Sequence, residues 1–487
     1  MLRSVTYRTY TTVATSISPI SKTLSTAPTF DNIIKAIQND TNNNEKSIPI
    51  INAWITSIRI LKNVTFVDLN DSTTADPLRL VINNNINNED TLHSIKRLNL
   101  GQSVSITNLQ VQRTPDRQQA FEFKLQPTSQ ISIIGDIQPD YPLQKKNQSL
   151  TYLRSINPIF KHRTNYFKQQ LKFRSFMEFQ IHYFLMINNF IKVAPPIITG
   201  NDCEGANNEL FKIKPTDAYL TVSAQLHLET LLNSTNKTWS LIPCFRAEKS
   251  NTNRHLLEFW MLELELAYID DLEPLLDFIR EFIIYLVKQC REHENDLLPR
   301  YYPNGVDDRE TILTRWDSLI DPSKWNTVTY DDAIKKLQES GQDFVFKPTW
   351  GKALQSEHEK WLAESYFNGT PVFVTKYPKD CKAFYMKQTP ENPETVECFD
   401  LLVPGMGEII GGSLRENNSA KLESEMDRRG MNKRGELNWY IDLRKNGSVP
   451  HGGFGLGLER LISYLFGNHN IKDAIPFPRS ADSQIKL

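Results

Sequence analysis

The stretch from Trp239 to Tyr268, WSLIPCFRAEKSNTNRHLLEFWMLELELAY, constrains the fold more than any other part of the chain. Its ends, WSLIPCFRAE and EFWMLELELAY, are rich in strand-forming residues and are joined by the polar run KSNTNR, a pattern that predicts an antiparallel hairpin. Side chains two apart share a strand face. Arg246 and Glu248 therefore fall on one side of the first strand, and Leu241, Pro243 and Phe245 on the other. In the second strand Phe259, Met261, Glu263 and Glu265 share a face, with Trp260, Leu262, Leu264 and Leu266 opposite. One side of such a hairpin packs a core while the other presents an arginine, a ring and carboxylates. Arginine grips phosphate in a fork, a ring stacks on a base, and carboxylates hold Mg2+ or an amino group. The pattern points to a nucleotide site on an antiparallel sheet, with Lys249, Arg254 and His255 of the loop in reach of outlying phosphates. The competing reading, a solvent-facing hairpin with ordinary ion pairs, leaves Phe259 among the charges unexplained.

A chain of 487 residues exceeds one ordinary core and predicts two or three domains. Between Ser47 and Gln138, five segments rich in β-branched and aromatic residues (50–60, 64–71, 78–84, 103–113 and 120–126) predict a small barrel, with an OB-fold over 47–140 as the natural candidate. Phe66 and Phe121 either stack on the bases of single-stranded nucleic acid or fill the barrel core. A hinge over 141–165 carries Pro142 and Pro158. An amphipathic helix over 166–190 follows, with Phe176, Phe179, Tyr183, Met186 and Phe190 at three- and four-residue steps. A strand over 192–198 would contain Pro195 and Pro196 and so lie at an edge, where a subunit contact competes with packing inside the chain. From Tyr141 to Lys192 nine Lys and Arg face the single acid Glu178, which suits a polyanion contact or a solvated helix face. The last third holds two glycine-rich segments, 404–416 and 451–467, where a backbone can approach a ligand closely. There is no GxGxxG turn after a strand and no GxxxxGK[ST], so the dinucleotide-binding and P-loop folds are set aside. The expected class is α+β.

Other classes are excluded by what the chain lacks. No uninterrupted apolar run is long enough to span a bilayer. The five cysteines stand far apart without metal-ligand spacing, which argues against a zinc site or a disulfide scaffold. Residues 1–30 are rich in Ser and Thr, carry Arg3, Arg8 and Lys22, and have no acid before Asp31. That composition predicts a transit segment and a mitochondrial matrix location, against the plainer reading of a disordered tail.

FRAE, followed after the loop by RHLLEF, resembles motif 2 of the class II aminoacyl-tRNA synthetases, and GFGLGLERL resembles their motif 3. Within that class APPIITGNDCEGANNELF, YLTVSAQLHLE, LQSEHEKWLAE, YPKDCKAFYM, LVPGMGEIIGGSLRE and IPFPRS are similar to asparaginyl-tRNA synthetases. The resemblance covers nearly everything after Ile50 and implies an anticodon-binding OB-fold over 47–140 and a class II catalytic domain over 166–487, an antiparallel sheet flanked by helices. It implies ATP and asparagine as substrates, Mg2+ as cofactor, tRNA(Asn) as partner, and a homodimer. It also implies residue roles: Arg246 on the α-phosphate of ATP, Glu248 near the adenine amino group, His255 on the γ-phosphate and Phe259 beneath adenine. Arg460 matches the motif 3 arginine, Gly457 lies in that motif, and Glu408 with Gly411 matches the Mg2+ and ATP site. Glu204, Gln225, Arg415 and His451 would hold the amino acid. Aspartyl enzymes carry a lysine where this chain has Leu228, which favours the neutral amide over a second carboxylate. The sequence departs from the usual CEGAGE by reading CEGANNE around Glu204. An aspartyl enzyme, a catalytically retired RNA-binding relative and an asparagine-synthesising paralogue remain the competing readings.

Overall fold

In the computed structural model, residues 27–481 are described apart from 40–44, 86–88, 116, 118, 145–147, 156–157, 201–209, 217, 249–251 and 432–436. Residues 1–26, most of the expected transit segment, and the loop residues with Glu204 and Lys249 lie outside the described residues. The chain divides into two compact units, one running to Gln169 and including Asn295–Pro303, the other made of Gln170–Glu294 and Asn304–Leu487.

The first unit is a closed five-stranded barrel. Its strands are β1 (Glu45–Ile60), β2 (Val64–Asn70), β3 (Leu78–Asn83), β4 (Ser103–Arg113) and β5 (Phe121–Gly135), paired in the order β1-β2-β3-β5-β4. All pairs are antiparallel except β3 with β5. Alternation fixes what points inward: Ile51, Ile55, Val67, Leu69, Leu80, Ile82, Ile106, Leu109 and Val111 form one buried cluster. Phe121 belongs to it, so of the two phenylalanines weighed as base-stackers this one is core. Phe66 is half-buried under the guanidinium of Arg79, 5.8 Å from its ring centre.

The barrel is closed by a helix that the sequence did not announce, α1 (Phe30–Gln38). Thr29 caps it by accepting the Asn32 N–H. Phe30, Ile33 and Ile37 enter the barrel core, and the Phe30 ring lies 5.3 Å from that of Phe123. Ala27 and Phe30 are buried, so the folded unit begins inside the 1–30 segment expected to be a transit sequence.

The second unit is built on an eight-stranded sheet. Its strands are β6 (Ile191–Lys192), β7 (Lys237–Phe245), β8 (Glu258–Ala267), β9 (Asn326–Thr329), β10 (Val372–Thr375), β11 (Cys398–Val403), β12 (Gly407–Leu414) and β13 (His451–Gly457). The spatial order is β9-β10-β11-β12-β13-β8-β7-β6, antiparallel except at the two outer pairs. The expected hairpin is β7–β8, with Phe259 opposite Cys244 and Glu263 opposite Ser240. A strand across Pro195–Pro196 does not form. Pairing stops at Lys192 and resumes at Ile198, because proline brings no N–H to a ladder.

The expected long helix is α2 (Asn165–Ile187), and the division between units falls within it. It is apolar on two faces. Phe173, Met177, Ile181 and Leu185 are fully buried, while Phe179, Tyr183, Met186 and Ile187 are exposed. The stripe noted in the sequence therefore largely marks the outward face. The core face escaped notice because a helix apolar all round has no single stripe to find.

Further helices that position the site are α3 (Gln225–Leu231), α4 (Glu273–Glu292), α5 (Ser356–Trp361), α6 (Asn438–Lys445) and α7 (Leu458–Phe466). No helix among the described residues is long and apolar enough to cross a membrane.

Candidate active site

Strand register assembles the site. Glu263 of β8 stands opposite Gly455 of β13, Gly455 opposite Gly411 of β12, and Gly411 opposite Asp400 of β11. Directly opposed residues share a face of the sheet. The row therefore has carboxylates at both ends and no side chains between, leaving a floor of bare backbone. At Gly411 a Cβ would lie 2.9 Å from Glu408 Oε1 and 3.4 Å from Asp400 Oδ1, so two carboxylates converge over that glycine. The next row runs Glu265, Gly453, Ser413. An open cavity of about 200 Å³ covers this floor; Gln225, Arg246, Glu408, Gly411 and Arg415 of the sequence-predicted residues line it.

Arg246 follows β7, its N–H bonded to Leu257 O at 3.0 Å and its guanidinium 5.4 Å from the centre of the Phe259 ring. Beyond it Glu248 lies 3.5 Å from His255 Nε2. Burial lowers the His255 pKa against the opposing pull of Glu248, with Arg460, Arg254 and Arg246 adding to the lowering. Arg460 sits in the first turn of α7 and donates to the Glu408 carbonyl at 3.0 Å, with the Glu408 carboxylate 3.7 Å away. Gly457 precedes α7, and a Cβ there would meet the Arg460 stem at 3.7 Å, an ordinary contact. Glu459, beside it in sequence, is held by Arg174 at 2.7 Å and accepts the Trp260 N–H at 2.9 Å, which fixes α7 to α2 and β8.

At the other end of the cavity Arg415 makes a fork with Glu265, Nη2 at 2.6 Å and Nε at 3.4 Å, and donates to Ser413 Oγ at 2.6 Å. Burial pushes the Glu265 pKa up in spite of Arg415, and nearby Glu229 adds to the rise. Glu263 is anchored by the N–H of Ala224 at 2.7 Å and by the hydroxyl of Ser223. Gln225 donates to Glu229 at 3.0 Å, and His451 Nε2 meets the same carboxylate at 2.9 Å.

Several residues here had no part in the sequence-level assignment. Asp400 is bridged by Lys382 Nζ at 2.7 and 2.6 Å, and Lys382 lies 4.0 Å from the centre of the Tyr377 ring. Burial raises the Asp400 pKa, Glu408 adds to this and Lys382 opposes it. Glu359 of α5 accepts the Glu408 N–H at 3.3 Å and is pushed up to about 7 by burial and by Glu408 and Asp400. Leu228, which carried the choice of amide over carboxylate, is packed in an apolar cluster with Ala224, Ile242 and Cys244. Met261, packed against that cluster, is the one of the group that reaches the cavity.

Oxygen donors suit a hard divalent cation, and Mg2+ is commonly held by one or two carboxylates plus substrate phosphates. The converging Asp400 and Glu408 fit that description. Among the described residues no group of three or more His, Cys, Asp and Glu forms a larger metal centre.

Residues 151–481 match the family model described as tRNA synthetases class II (D, K and N). The chain is 50% identical over 463 residues to the mitochondrial asparagine–tRNA ligase of Saccharomyces cerevisiae, covering 89% of this chain and 92% of the relative. It is 38% identical over 456 residues to the asparagine–tRNA ligase of Clostridium tetani, covering 89% and 95%. Among solved structures it is similar to asparaginyl-tRNA synthetase from Pyrococcus horikoshii complexed with asparaginyl-adenylate, with a TM-score of 0.79 and 33% identity over 91% of this chain and 96% of that one. With fold, motif register and relatives in agreement over nearly its whole length, the chain belongs to the class II tRNA synthetases of the D, K and N group and, within it, to the asparaginyl-tRNA synthetase family.

Proposed function

We propose that this chain joins asparagine to tRNA(Asn) by way of an asparaginyl-adenylate in the mitochondrial matrix. The observation that carries the choice of amino acid is the buried Arg415–Glu265 fork beside the cavity. A carboxamide offers both an acceptor for arginine N–H groups and a donor for a carboxylate, whereas an ionised carboxylate only accepts. Buried polar groups left unpaired by the wrong ligand are what make such a site selective.

The reaction brings together two anions, the asparagine carboxylate and the α-phosphate of ATP, so positioning and fixed positive charge dominate. Arg246 holds the α-phosphate and Arg460 lies across the ATP. Phe259 supports the adenine ring, Glu248 takes its amino group, and His255 reaches the γ-phosphate. Gly411 and Gly457 let the backbone lie close to the nucleotide. Glu408 and Asp400 would hold Mg2+, which when bound neutralises phosphate oxygens. Gln225, His451 and Glu204 orient the amino acid, with Arg415 at its side chain. No side-chain nucleophile is required, because the substrate carboxylate attacks and pyrophosphate leaves.

The barrel over 47–140 serves as the anticodon-binding domain, 141–165 as the hinge and 166–487 as the catalytic domain. The exposed apolar face of α2, with Phe179, Tyr183 and Met186, suits a homodimer contact. The matrix location is supported by the basic, hydroxyl-rich residues before Asp31 and by similarity to the yeast mitochondrial relative.

The test is amino-acid-dependent exchange of pyrophosphate into ATP, run with asparagine and aspartate in parallel. Exchange with asparagine alone is expected. Exchange with aspartate would overturn the amino-acid assignment, and exchange with neither would favour the retired, RNA-binding reading.

A further inference from the structure

Beneath the amino-acid end of the cavity lies a buried charge network whose central carboxylate the roles above do not use. Glu229, on α3 and buried, is its centre. It is bound by Arg444 Nη2 at 2.5 Å and by Tyr440 OH at 2.9 and 2.8 Å, both residues of α6, and it faces His451 Nε2 and Gln225 Nε2. The other ring nitrogen of His451, Nδ1, lies 2.7 Å from the Val449 carbonyl. Arg444 also donates from Nε to the Glu416 carbonyl and from Nη2 to Tyr440 OH, and among the described residues Glu229 is the carboxylate with which it forms an ion pair. Burial would push the Glu229 pKa up, but Arg444 and His451 outweigh burial and hold it well below the usual carboxylate range.

Arg415 already has its own partner in Glu265. Glu229 is therefore the group that keeps Arg444 from presenting surplus positive charge to the adjoining cavity. We propose that Glu229 is a specificity-determining positioning residue: by neutralising Arg444 it keeps that buried cation from the side-chain pocket, so that a second carboxylate on the amino acid finds no counter-charge there and aspartate is rejected. Leu228 makes no such contact and lies in an apolar cluster, so the discrimination noticed in SAQLHLE rests on the residue next to it. The inference depends on the asparagine reading above.

The test uses the full chain and two quantities, KM for asparagine in pyrophosphate exchange and the inhibition constant of aspartate against that exchange. In Glu229→Gln the aspartate constant is expected to fall relative to the asparagine KM by about tenfold or more, since a buried cation loses its partner and an anionic ligand can replace it. In the double variant Glu229→Gln with Arg444→Met, that gain should be largely reversed. A purely structural role would weaken both amino acids together and would not be reversed by removing the arginine. Should Glu229→Gln fail to fold, Arg444→Met alone carries the test from the other side: the ratio of aspartate constant to asparagine KM should rise. An equal change for both amino acids in either single variant overturns the inference. A wild-type chain that activates no asparagine refutes the functional reading instead, so the two failures are distinguishable.

Discussion

Gly453 is the position where this architecture tolerates least. It lies in β13 opposite Glu265 of β8, and a Cβ there would stand 2.0 Å from the Leu264 carbonyl oxygen and 2.6 Å from the Glu265 carboxyl carbon. Real Cβ contacts essentially never fall under 3.0 Å, so alanine must open the β8–β13 spacing by about 1 Å. A 1 Å gain stretches nearby N–H···O bonds beyond useful length. Two lost ladder bonds at about 1 kcal/mol each, plus roughly 1–3 kcal/mol of overpacking, put the cost of Gly453→Ala at about 3–5 kcal/mol. The same movement displaces Glu263 and Glu265, and a misplacement of this size typically costs about 10²-fold in rate. Gly455, two residues along, is the internal control. Its Cβ would meet Met261 Sδ at 3.5 Å, an ordinary contact, so Gly455→Ala should keep or slightly raise stability even as it fills part of the cavity floor. Chemical denaturation of both variants, paired with asparagine-dependent exchange, decides the matter. If Gly453→Ala unfolds at the same denaturant concentration as Gly455→Ala, the close strand approach is not what holds the site together.

Three further outcomes follow from other parts of the molecule. Glu459→Gln breaks the buried pair with Arg174 and is expected to cost about 3–5 kcal/mol, read by urea denaturation; a loss under 1 kcal/mol would show that Glu178 alone can hold that arginine. Removing residues 1–26 should leave the barrel transition unchanged, whereas removing 1–38 strips Phe30, Ile33 and Ile37 from its core at roughly 1.5–3 kcal/mol each. Equal melting of the two truncations would mean that α1 is dispensable. The carboxyl of Glu359 is raised from 4.5 to about 7, so its favourable contribution is fully present below pH 4.5 and is lost as pH rises through 7. Glu359→Gln should therefore gain stability relative to the parent as pH rises from about 4.5 to about 7 and hold that gain above 7, and parallel pH profiles of the two proteins would contradict this cause.

Local periodicity carried much of the architecture. All five barrel strands and the β7–β8 hairpin follow from alternation, whereas the glycine-rich segments 404–416 and 451–467 marked places where backbone can approach a ligand without announcing β12 and β13 as strands. Arg246, Phe259 and Arg460, proposed to hold ATP, were legible because they lie within or beside those patterns. What escaped were partnerships made across long stretches of chain. Glu229 meets Arg444 from 215 residues away, and Lys382, in the segment between β10 and β11, meets Asp400 of β11 in a contact with no local signature. Leu228 illustrates the limit in a single side chain. Its identity can be read from the sequence, but that its neighbour Glu229 points to the charges depends on how a seven-residue helix is rotated. Helix α1 was hidden for a different reason, since its apolar residues fall at the edge of a segment whose composition suggested targeting.

The position of β13 also dictates the order in which the sheet can be completed. It is a central strand between β12 and β8, yet it comes from residues 451–457, after every other strand of the sheet in chain order. Until those residues are available, β8 and β12 each present an open row of backbone donors and acceptors, the feature that invites pairing with other chains. Four of the seven residues of the inserting strand are glycine, so it enters with little side-chain bulk to clear but also with little to hold it before its ladders form. Nascent or partly threaded chains that stop short of Gly457 thus carry a split sheet and an unassembled site, and that interval is when this protein most needs protection from aggregation.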